Sequence, residues 1–202
     1  MNWAMKYHKV GLLAITLIFS SLIQGCDKKV ETNACANPEA LRKLRLDFGY
    51  ELASNSSLPQ VEYSNIRIQK EQNTVVYCHA RAGIEGNSEN IIKVLIAKIG
   101  AKNFKSIESS LTSLEPQNFS EEKFNQLYPY LATFYLKRYS RTLPRSKNYE
   151  IALFVDYTVN KTNYHISGIN YDRDLFYEAF HLMAKDLKPS ENDTRAISIL
   201  NR

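Results

Sequence analysis

The sequence predicts an α+β domain in which an antiparallel sheet of about four strands, arranged as two hairpins, carries helices packed on one face. Apolar residues alternate in two pairs of segments, at about 61–69 with 74–82 and at 151–159 with 164–171, and a short polar turn separates the members of each pair. The remaining apolar residues recur every three or four positions, which is typical of amphipathic helices. The element order is α-ββ-ααα-ββ-α, and hairpins separated by helices favour an antiparallel sheet.

The first helix is predicted to begin at Asn37. Asn is a favoured N-cap, Pro38 suits the first helical position, and Glu39 places an acid in the first turn. The helix should end before Ser54. Its apolar face consists of Leu41, Leu44, Phe48 and Leu52.

In the second strand of the first hairpin, side chains alternate between the two sides of the strand. One side carries Val76, Cys78, Ala80 and Ala82, and the other carries Tyr77, His79 and Arg81. Cys78 is therefore expected to point inward, towards the first helix and Cys35. The segment 83–87 is expected to be a break before the next helix.

Three amphipathic helices are predicted between the hairpins. The first is capped by Ser88, the second carries an apolar stripe that starts at Phe104 and stops at Pro116, and the third begins at Ser120. Pro129 falls inside the third helix and is expected to kink or split it. The basic stretch 137–147 is interpreted as a loop.

The second hairpin is the clearest in the chain, because its first strand alternates apolar residues with polar or smaller ones. The apolar residues are Ile151, Leu153, Val155, Tyr157 and Val159. A last helix follows, capped by Asp172 or Asp174. Residues 35–190 are predicted to form a single domain, and 191–202 are expected to be a frayed C-terminus.

The first residues of the chain have a different character. Lys6 and Lys9 precede the uncharged run 10–23, whose fourteen residues would span about 21 Å as a helix, short of a bilayer core of ~30 Å. A basic region before a short apolar run is typical of a secretory signal peptide, here residues 1–25. A short anchor that stays on the protein is the alternative.

The segment Leu22-Ile23-Gln24-Gly25-Cys26 resembles the lipobox of bacterial lipoprotein precursors. Ile23, Gly25 and Cys26 match that pattern, and Gln24 is a less common choice. The resemblance implies cleavage before Cys26, a diacylglycerol thioether on its sulfur and acylation of its new amine, commonly with palmitate. An ordinary signal peptide that ends near a cysteine is the alternative.

The same resemblance implies a protein anchored in a bacterial envelope membrane and facing the periplasm. Residues 26–34 would be the lipidated N-terminus and a tether under about 30 Å long. Asp27 resembles the signal that retains enterobacterial lipoproteins in the inner membrane, so the inner membrane is slightly favoured over the outer.

The charge of the chain limits the functional classes that fit it. Without Lys6 and Lys9 the chain has 24 basic and 21 acidic residues, which is a formal charge of +3, and it has no run of five like charges. Nucleic-acid binding is therefore not expected.

The cysteines predict a disulfide. With Cys26 lipidated, Cys35 and Cys78 are an even pair that predicts a disulfide in an oxidising compartment. Two separate buried thiols are the alternative. No metal or cofactor is expected, because two cysteines without paired His spacing are too few ligands.

The sequence contains no catalytic motif of the phosphate-binding, nucleophile-elbow or zinc-protease type. Asp174, Glu178 and His181 share one helical face, but a di-metal site would need a second such motif, so a solvated face is favoured. Asp156 lies among apolar strand residues, where burial would suggest a functional role. His79 and Cys78 face opposite sides of a strand, which is poor geometry for a nucleophile pair. His165 is interpreted as a surface residue beside a turn.

An aromatic and basic segment follows the middle of the third helix. Tyr and Arg are enriched where protein interfaces bind most strongly, and the aromatic residues here cannot all share the core face of one helix. The candidate partner-binding residues are Tyr130, Tyr135, Arg138, Tyr139 and Arg141. Contact of this basic segment with anionic lipid headgroups is an alternative.

The leading functional hypothesis is a lipid-anchored envelope protein that binds another protein. It would act as an inhibitor or immunity lipoprotein, or as an accessory component of an envelope assembly. The main alternative is a periplasmic lipoprotein that binds a small ligand between sheet and helices. An enzyme is the third possibility and lacks a supporting motif. The membrane, through the lipid on Cys26, and an unidentified protein are the expected partners.

Overall fold

A computed structural model describes residues 33–48 and 59–202, and these belong to one unit, Asn33–Arg202. The expected signal peptide, Cys26, most of the tether 26–34 and Leu52 lie outside the described residues. The helices are α1 (Pro38–Asp47), α2 (Ser88–Ile99), α3 (Ala101–Leu111), α4 (Glu121–Arg138), α5 (Leu175–Ala184) and α6 (Glu191–Leu200). The strands are β1 (Glu62–Gln72), β2 (Val75–Asn87), β3 (Asn148–Asn160) and β4 (Ile166–Tyr171). None of the helices in the described ranges is both long and apolar enough to cross a membrane.

The four strands form one antiparallel sheet in the order β1-β2-β3-β4. β2 and β3 are the centre and pair without a register shift from Val75 opposite Asn160 to Asn87 opposite Asn148. β1 and β4 pair outside them, each with register shifts. The predicted α+β class and the two hairpins are thus confirmed, and the helices pack onto the sheet.

One face of the sheet carries the core, because the side chains of β2 and β3 alternate without interruption. The even positions of β2 from Val76 to Ile84 and the odd positions of β3 from Tyr149 to Val159 are buried. Ile84 and Leu153 pack with helices α2, α4 and α5, while Cys78 and Tyr157 pack with α1. Helices therefore cover this face along its length.

The caps explain most helix boundaries. The side chains of Asn37, Ser120 and Asp174 each accept a hydrogen bond from a main-chain N–H of the first turn, as predicted. The predicted cap at Ser88 is wrong, because Asn87 accepts the bond from the N–H of Asn90.

The predicted break at 83–87 is also wrong. Gly83 and Gly86 remain in β2, where they pair with Ala152 and Tyr149 of the unbroken β3. Long-range pairing with a regular partner strand thus overrides the weak strand preference of glycine.

Pro129 does not split α4, which continues to Arg138. A proline in this position removes one main-chain donor from the helix. The hydroxyl of Thr133 donates to the carbonyl of Pro129 at 2.7 Å. The C-terminal half of α4 is buried, with Leu131, Ala132 and Leu136 fully enclosed. Tertiary packing of this half is sufficient to hold the helix together.

The expectation that 191–202 is frayed is wrong, because residues 191–200 form α6. Ala196, Ile197 and Leu200 are buried in the main core. The phenol of Tyr128 donates to the carbonyl of Leu200 at 2.9 Å. The C-terminal helix is therefore an integral part of the helical layer.

The predicted disulfide is present. Cys35 and Cys78 are bonded, with their Cα atoms 5.7 Å apart, and both are fully buried. The phenol of Tyr157 donates to the carbonyl of Cys35 at 2.8 Å. The bond fixes the start of the described domain to the centre of the sheet.

Candidate interaction surface

The predicted aromatic and basic partner surface is mostly used inside the protein. Tyr135 is only 4% exposed and belongs to the core, so its assignment to a partner surface is wrong. The phenol of Tyr139 donates to Asp193 at 2.5 Å and accepts from the N–H of Ser190 at 3.0 Å. Arg138 is ion-paired with Asp193 at 3.1 Å. Tyr139 and Arg138 therefore hold α6 against α4.

The two other predicted residues have different positions. Tyr130 packs partly buried against the main core. Arg141 lies exposed in a short 3-10 helix, Ser140–Thr142. Of the five predicted partner-binding residues, only Arg141 is both exposed and without a described side-chain partner, which leaves little of the predicted surface.

The acidic and histidine residues of α5 do not form a site. Asp174 caps the helix, Glu178 is ion-paired with Arg173 at 3.1 Å, and the ring of His181 stacks on Tyr177. Within 33–48 and 59–202 no group of three or more His, Cys, Asp or Glu side chains has a geometry suited to a metal ion. Capping, ion pairing and ring stacking in and beside the helix account for Asp174, Glu178 and His181 on this face.

The opposite face of the sheet is where the structure leaves side chains available. Its central row runs across the four strands through Arg67, His79, Asp156 and Asn170. None of the helices in the described ranges contributes to the buried clusters from this side. We call this surface, with Tyr77 and Phe154 in the flanking rows, the outer sheet face.

Two aromatic side chains stand out on the outer sheet face. Phe154 is 43% exposed and Tyr77 is 37% exposed. Phe154 stacks on the ring of His79 with centroids 5.4 Å apart, and Lys70 lies 5.9 Å above the Tyr77 ring. Exposed aromatic side chains are enriched among the residues that anchor protein interfaces.

Polar contacts hold the centre of the face in one arrangement. Nδ1 of His79 lies 2.8 Å from Oδ1 of Asp156, and the side-chain amide of Gln69 donates to the same oxygen at 3.1 Å. The Asp156 side chain is 55% exposed, so its position among apolar residues is not a case of buried charge. His79, which faces away from Cys78 as predicted, is fixed on both sides by Phe154 and Asp156.

A glycine shapes the end of the same face. The Arg81 side chain forms an ion pair with Glu150. A Cβ on Gly83 would lie 3.1 Å from Nη1 of Arg81, which places the guanidinium directly over this glycine. The missing side chain lets Arg81 lie flat along the sheet.

The buried side of the sheet contains two phenols in contact with each other. Tyr63 of β1 and Tyr171 of β4 belong to opposite edge strands, and their hydroxyls are 3.3 Å apart on this side of the sheet. Burial raises the pKa of Tyr171 to about 12 and raises the pKa of Tyr63 further. Both phenols are therefore neutral at physiological pH and act as hydrogen-bonding groups.

Two open grooves lie beside α6, in the helical layer. Their volumes are about 870 and 730 Å³, and Phe124, Ile199 and Arg202 contribute to both. Tyr128 and Tyr177 line the second groove. These two large grooves lie between helices, whereas the ligand-binding alternative expected a pocket between sheet and helices.

The sequence carried a signal for the outer sheet face. The alternation that places Leu153 and Val155 inward puts Phe154 outward, although a large aromatic residue there has no core to fill. Tyr77 follows from the same reasoning on β2. The extent of the outer sheet face could not be predicted from the sequence, because it depends on which side of the sheet the helices pack against.

Comparison with known proteins adds no relative. No protein-family model, no curated protein and no solved structure matches this chain.

Proposed function

We propose that this chain is a lipid-anchored protein of the bacterial envelope that binds another protein through its outer sheet face. The observation that carries the proposal is the exposure of Phe154 and Tyr77 on a sheet whose other face is covered by helices. Anchoring rests on the resemblance of the segment ending at Cys26 to a lipobox.

The arrangement of the face supports recognition of a folded protein surface. Phe154 is held by stacking on His79, so little side-chain entropy is lost when it is buried. Arg81 and Asp156 supply charges of both signs beside it. Aromatic side chains and arginine are both enriched in protein interfaces.

Two biological roles fit this proposal. The protein is an inhibitor or immunity lipoprotein that neutralises an envelope-directed toxin or lytic enzyme, or it is an accessory component of an envelope assembly. In both roles the working part is a small binding domain held near a membrane. The identity of the captured protein separates them.

The test is site-specific photocrosslinking in intact cells. A photoreactive amino acid at Phe154 or Tyr77 is expected to give one dominant protein adduct, and the same group at the exposed Lys105 of α3 is expected to give none. Equal adducts at all three positions, or none at any, would contradict the proposal.

A second experiment tests the lipid anchor. In cells labelled with palmitate, the wild-type protein should carry the label and remain with the membrane fraction, and the Cys26→Ser variant should lose both the label and its membrane association.

A matched pair of substitutions measures the contribution of the face. Phe154→Ala is expected to weaken partner binding by roughly thirtyfold, as for a central aromatic anchor. Leu46→Ala on α1 removes an apolar side chain of nearly equal exposure, 44% against 43%, and is expected to leave binding unchanged. Equal effects of the two substitutions would count against this surface.

Small-ligand binding is the second candidate. The two grooves beside α6 fall in the usual size range of ligand sites, about 300–1,000 Å³. A thermal-shift screen with envelope metabolites tests it, since a bound ligand stabilises the folded state. A shift that Tyr177→Ala abolishes would favour this candidate over protein binding.

A further inference from the structure

The sheet has a stretch of strand edge that its fourth strand does not cover. β3 spans Asn148–Asn160, but β4 pairs with it only from Val155 to Val159. At the next position the N–H of Asp172 donates to the carbonyl of Phe154, and the carboxylate of Asp172 accepts from the N–H of Phe154. The side chain of Asp172 thus ends the ladder, and 148–153 continue beyond it.

The direction of the main-chain groups along this stretch follows from the pairing. Phe154 directs both its N–H and its carbonyl towards the β4 side, and so does the N–H of Asn160, which bonds to the carbonyl of His165. In an antiparallel sheet every second residue points the same way, so Ala152 and Glu150 also direct their main-chain groups to that side. Neither has a hydrogen-bond partner there among the described residues.

A groove runs along this open edge. Glu150, Ile151 and Ala152 form one wall, and Leu182 of α5 and Lys185, which follows that helix, lie in the other. Its volume is about 260 Å³. Asn201 also lines the groove, and its Oδ1 is a buried acceptor without a hydrogen-bond partner in the structure. The groove therefore places free main-chain donors and acceptors beside both apolar and charged side chains.

The other two edges lack this combination. β1 has two register shifts and a positive φ at Asn65, and β4 has a register shift and a positive φ at Gly168. Irregular edges of this kind discourage pairing with another chain. β3 is regular along its whole length, so its open stretch has the geometry that an added strand needs.

The charges of the groove indicate what kind of segment fits. Glu150 is ion-paired with Arg81, and Glu178 is ion-paired with Arg173. Arg173 is shared with Asp172 at 3.5 Å, and Lys185 is the charged residue of the groove that has no ion pair among the described residues. A segment with an acidic side chain complements it.

We propose that the edge of β3 at 148–153 binds an extended, acidic segment of the partner protein as an additional strand, in line with β4. Strand addition uses main-chain hydrogen bonds for affinity and alternate side chains for specificity. This inference rests on the proposed function and names its mode of recognition. The added strand would extend the outer sheet face beside Phe154.

The test uses the full-length protein, purified as the cell produces it, and a phage-displayed library of random linear peptides as the probe. Selected peptides are expected to carry an Asp or Glu. They should slow hydrogen exchange at the N–H groups of Glu150 and Ala152, which in the free protein exchange faster than those of Ile151 and Leu153 bonded to β2. Peptides that leave these two N–H groups unprotected would overturn the inference.

Substitution at Ala152 separates main-chain from side-chain recognition. Ala152→Pro removes the N–H on the open side without removing a bond to β2, and it is expected to weaken peptide binding about tenfold. Ala152→Val keeps the N–H and should bind within about twofold of wild type. Equal binding by wild type and Ala152→Pro overturns the inference.

Two controls keep the result decisive. If Ala152→Pro fails to fold, Glu150→Pro tests the next N–H on the same side with the same expected loss. If photocrosslinks at Phe154 persist in the folded proline variant at the wild-type yield, strand addition is wrong and the proposed function stands. If crosslinks at Phe154 are absent in the wild type, the proposed function itself fails.

Discussion

The phenol of Tyr139, at the end of α4, donates a hydrogen bond of 2.5 Å to the carboxylate of Asp193 in the first turn of α6. The same phenol accepts from the N–H of Ser190, which precedes that helix. Because Asp193 also pairs with Arg138, three side chains fasten the C-terminal helix to the helical layer. An aromatic and basic segment that looks suited to a partner is thus occupied by the chain itself.

Removing this phenol is expected to loosen the C-terminal helix. Tyr139→Phe deletes the hydroxyl and leaves Asp193 and the N–H of Ser190 without that partner. Stability should fall by about 1–3 kcal/mol, the usual effect of unsatisfying partly buried polar groups. Denaturant unfolding measures the loss, and hydrogen exchange should show that α6 opens first.

Tyr130→Phe is the matched control. Tyr130 lies on the same helix, and its hydroxyl has no described hydrogen bond. Its loss should change stability by less than about 0.5 kcal/mol. Equal destabilisation by the two substitutions would show that the bonds of Tyr139 contribute nothing specific.

The disulfide is expected to contribute a large part of the stability. It joins residues 43 positions apart, and the chain-entropy argument gives about 4 kcal/mol for a loop of that length. The double variant Cys35→Ala, Cys78→Ala should lose stability of this order in urea unfolding. Reduction should destabilise the wild type and leave the double variant unchanged. A wild type that unfolds at the same urea concentration with and without reductant would contradict this.

The carboxylate of Asp186 predicts a loss of stability in acid. Hydrogen bonds from Lys147 and then from Tyr149 hold the pKa of Asp186 below its ordinary value of 3.8. The folded state thus binds fewer protons than the unfolded state, so the stabilisation is complete above the ordinary pKa and is lost as pH falls through the lower one. Unfolding free energies of wild type and Asp186→Asn should differ above about pH 5 and converge in stronger acid.

Tyr149→Phe refines this test. The phenol donates to Asp186 at 2.9 Å, and its removal leaves the Lys147 contact in place. The pKa of Asp186 should then rise part of the way towards its ordinary value, and the acid-dependent part of the stability should shrink. NMR titration of the carboxyl group measures this directly. An unchanged titration would assign the whole effect to Lys147.

Local signals account for the parts of the fold that were predictable. Asn37 and Pro38 mark the start of α1, and the alternation around Leu153 marks β3 as a strand with one buried face. The alternation on β2 also predicted that Cys78 points towards Cys35, and the disulfide between them is present. These features depend on neighbouring residues alone, and for that reason they are visible in a single sequence.

The features that escaped prediction depend on distant residues. Residues 191–202 contain only a short apolar stripe. Hydrogen bonds from Tyr128 and Tyr139 hold α6 in place, and these residues lie 72 and 54 positions away from the groups in 191–202 that they bond. The partner surface was misplaced for the same reason, since nothing in the aromatic segment indicates that the C-terminal helix covers it. Phe154 was identifiable as outward, but only the fold shows that its face is left open.

A glycine on the outer sheet face provides the last test of that surface. Gly83→Ala places a Cβ 3.1 Å from Nη1 of Arg81, and the flexible guanidinium can move away. Stability should change by less than about 1 kcal/mol, because alanine also restricts the unfolded chain.

The same substitution tests how a partner approaches the outer sheet face. The ion pair between Arg81 and Glu150 should be displaced, and an Arg81 released from the sheet should obstruct the approach of a partner to Phe154. Photocrosslinking yield at Phe154 should therefore fall in Gly83→Ala and recover in the double variant Gly83→Ala, Arg81→Ala. Recovery separates obstruction by Arg81 from a general distortion of β2, which removal of the arginine would not repair. A yield that stays at the wild-type level in Gly83→Ala would show that the partner does not approach over this end of the face.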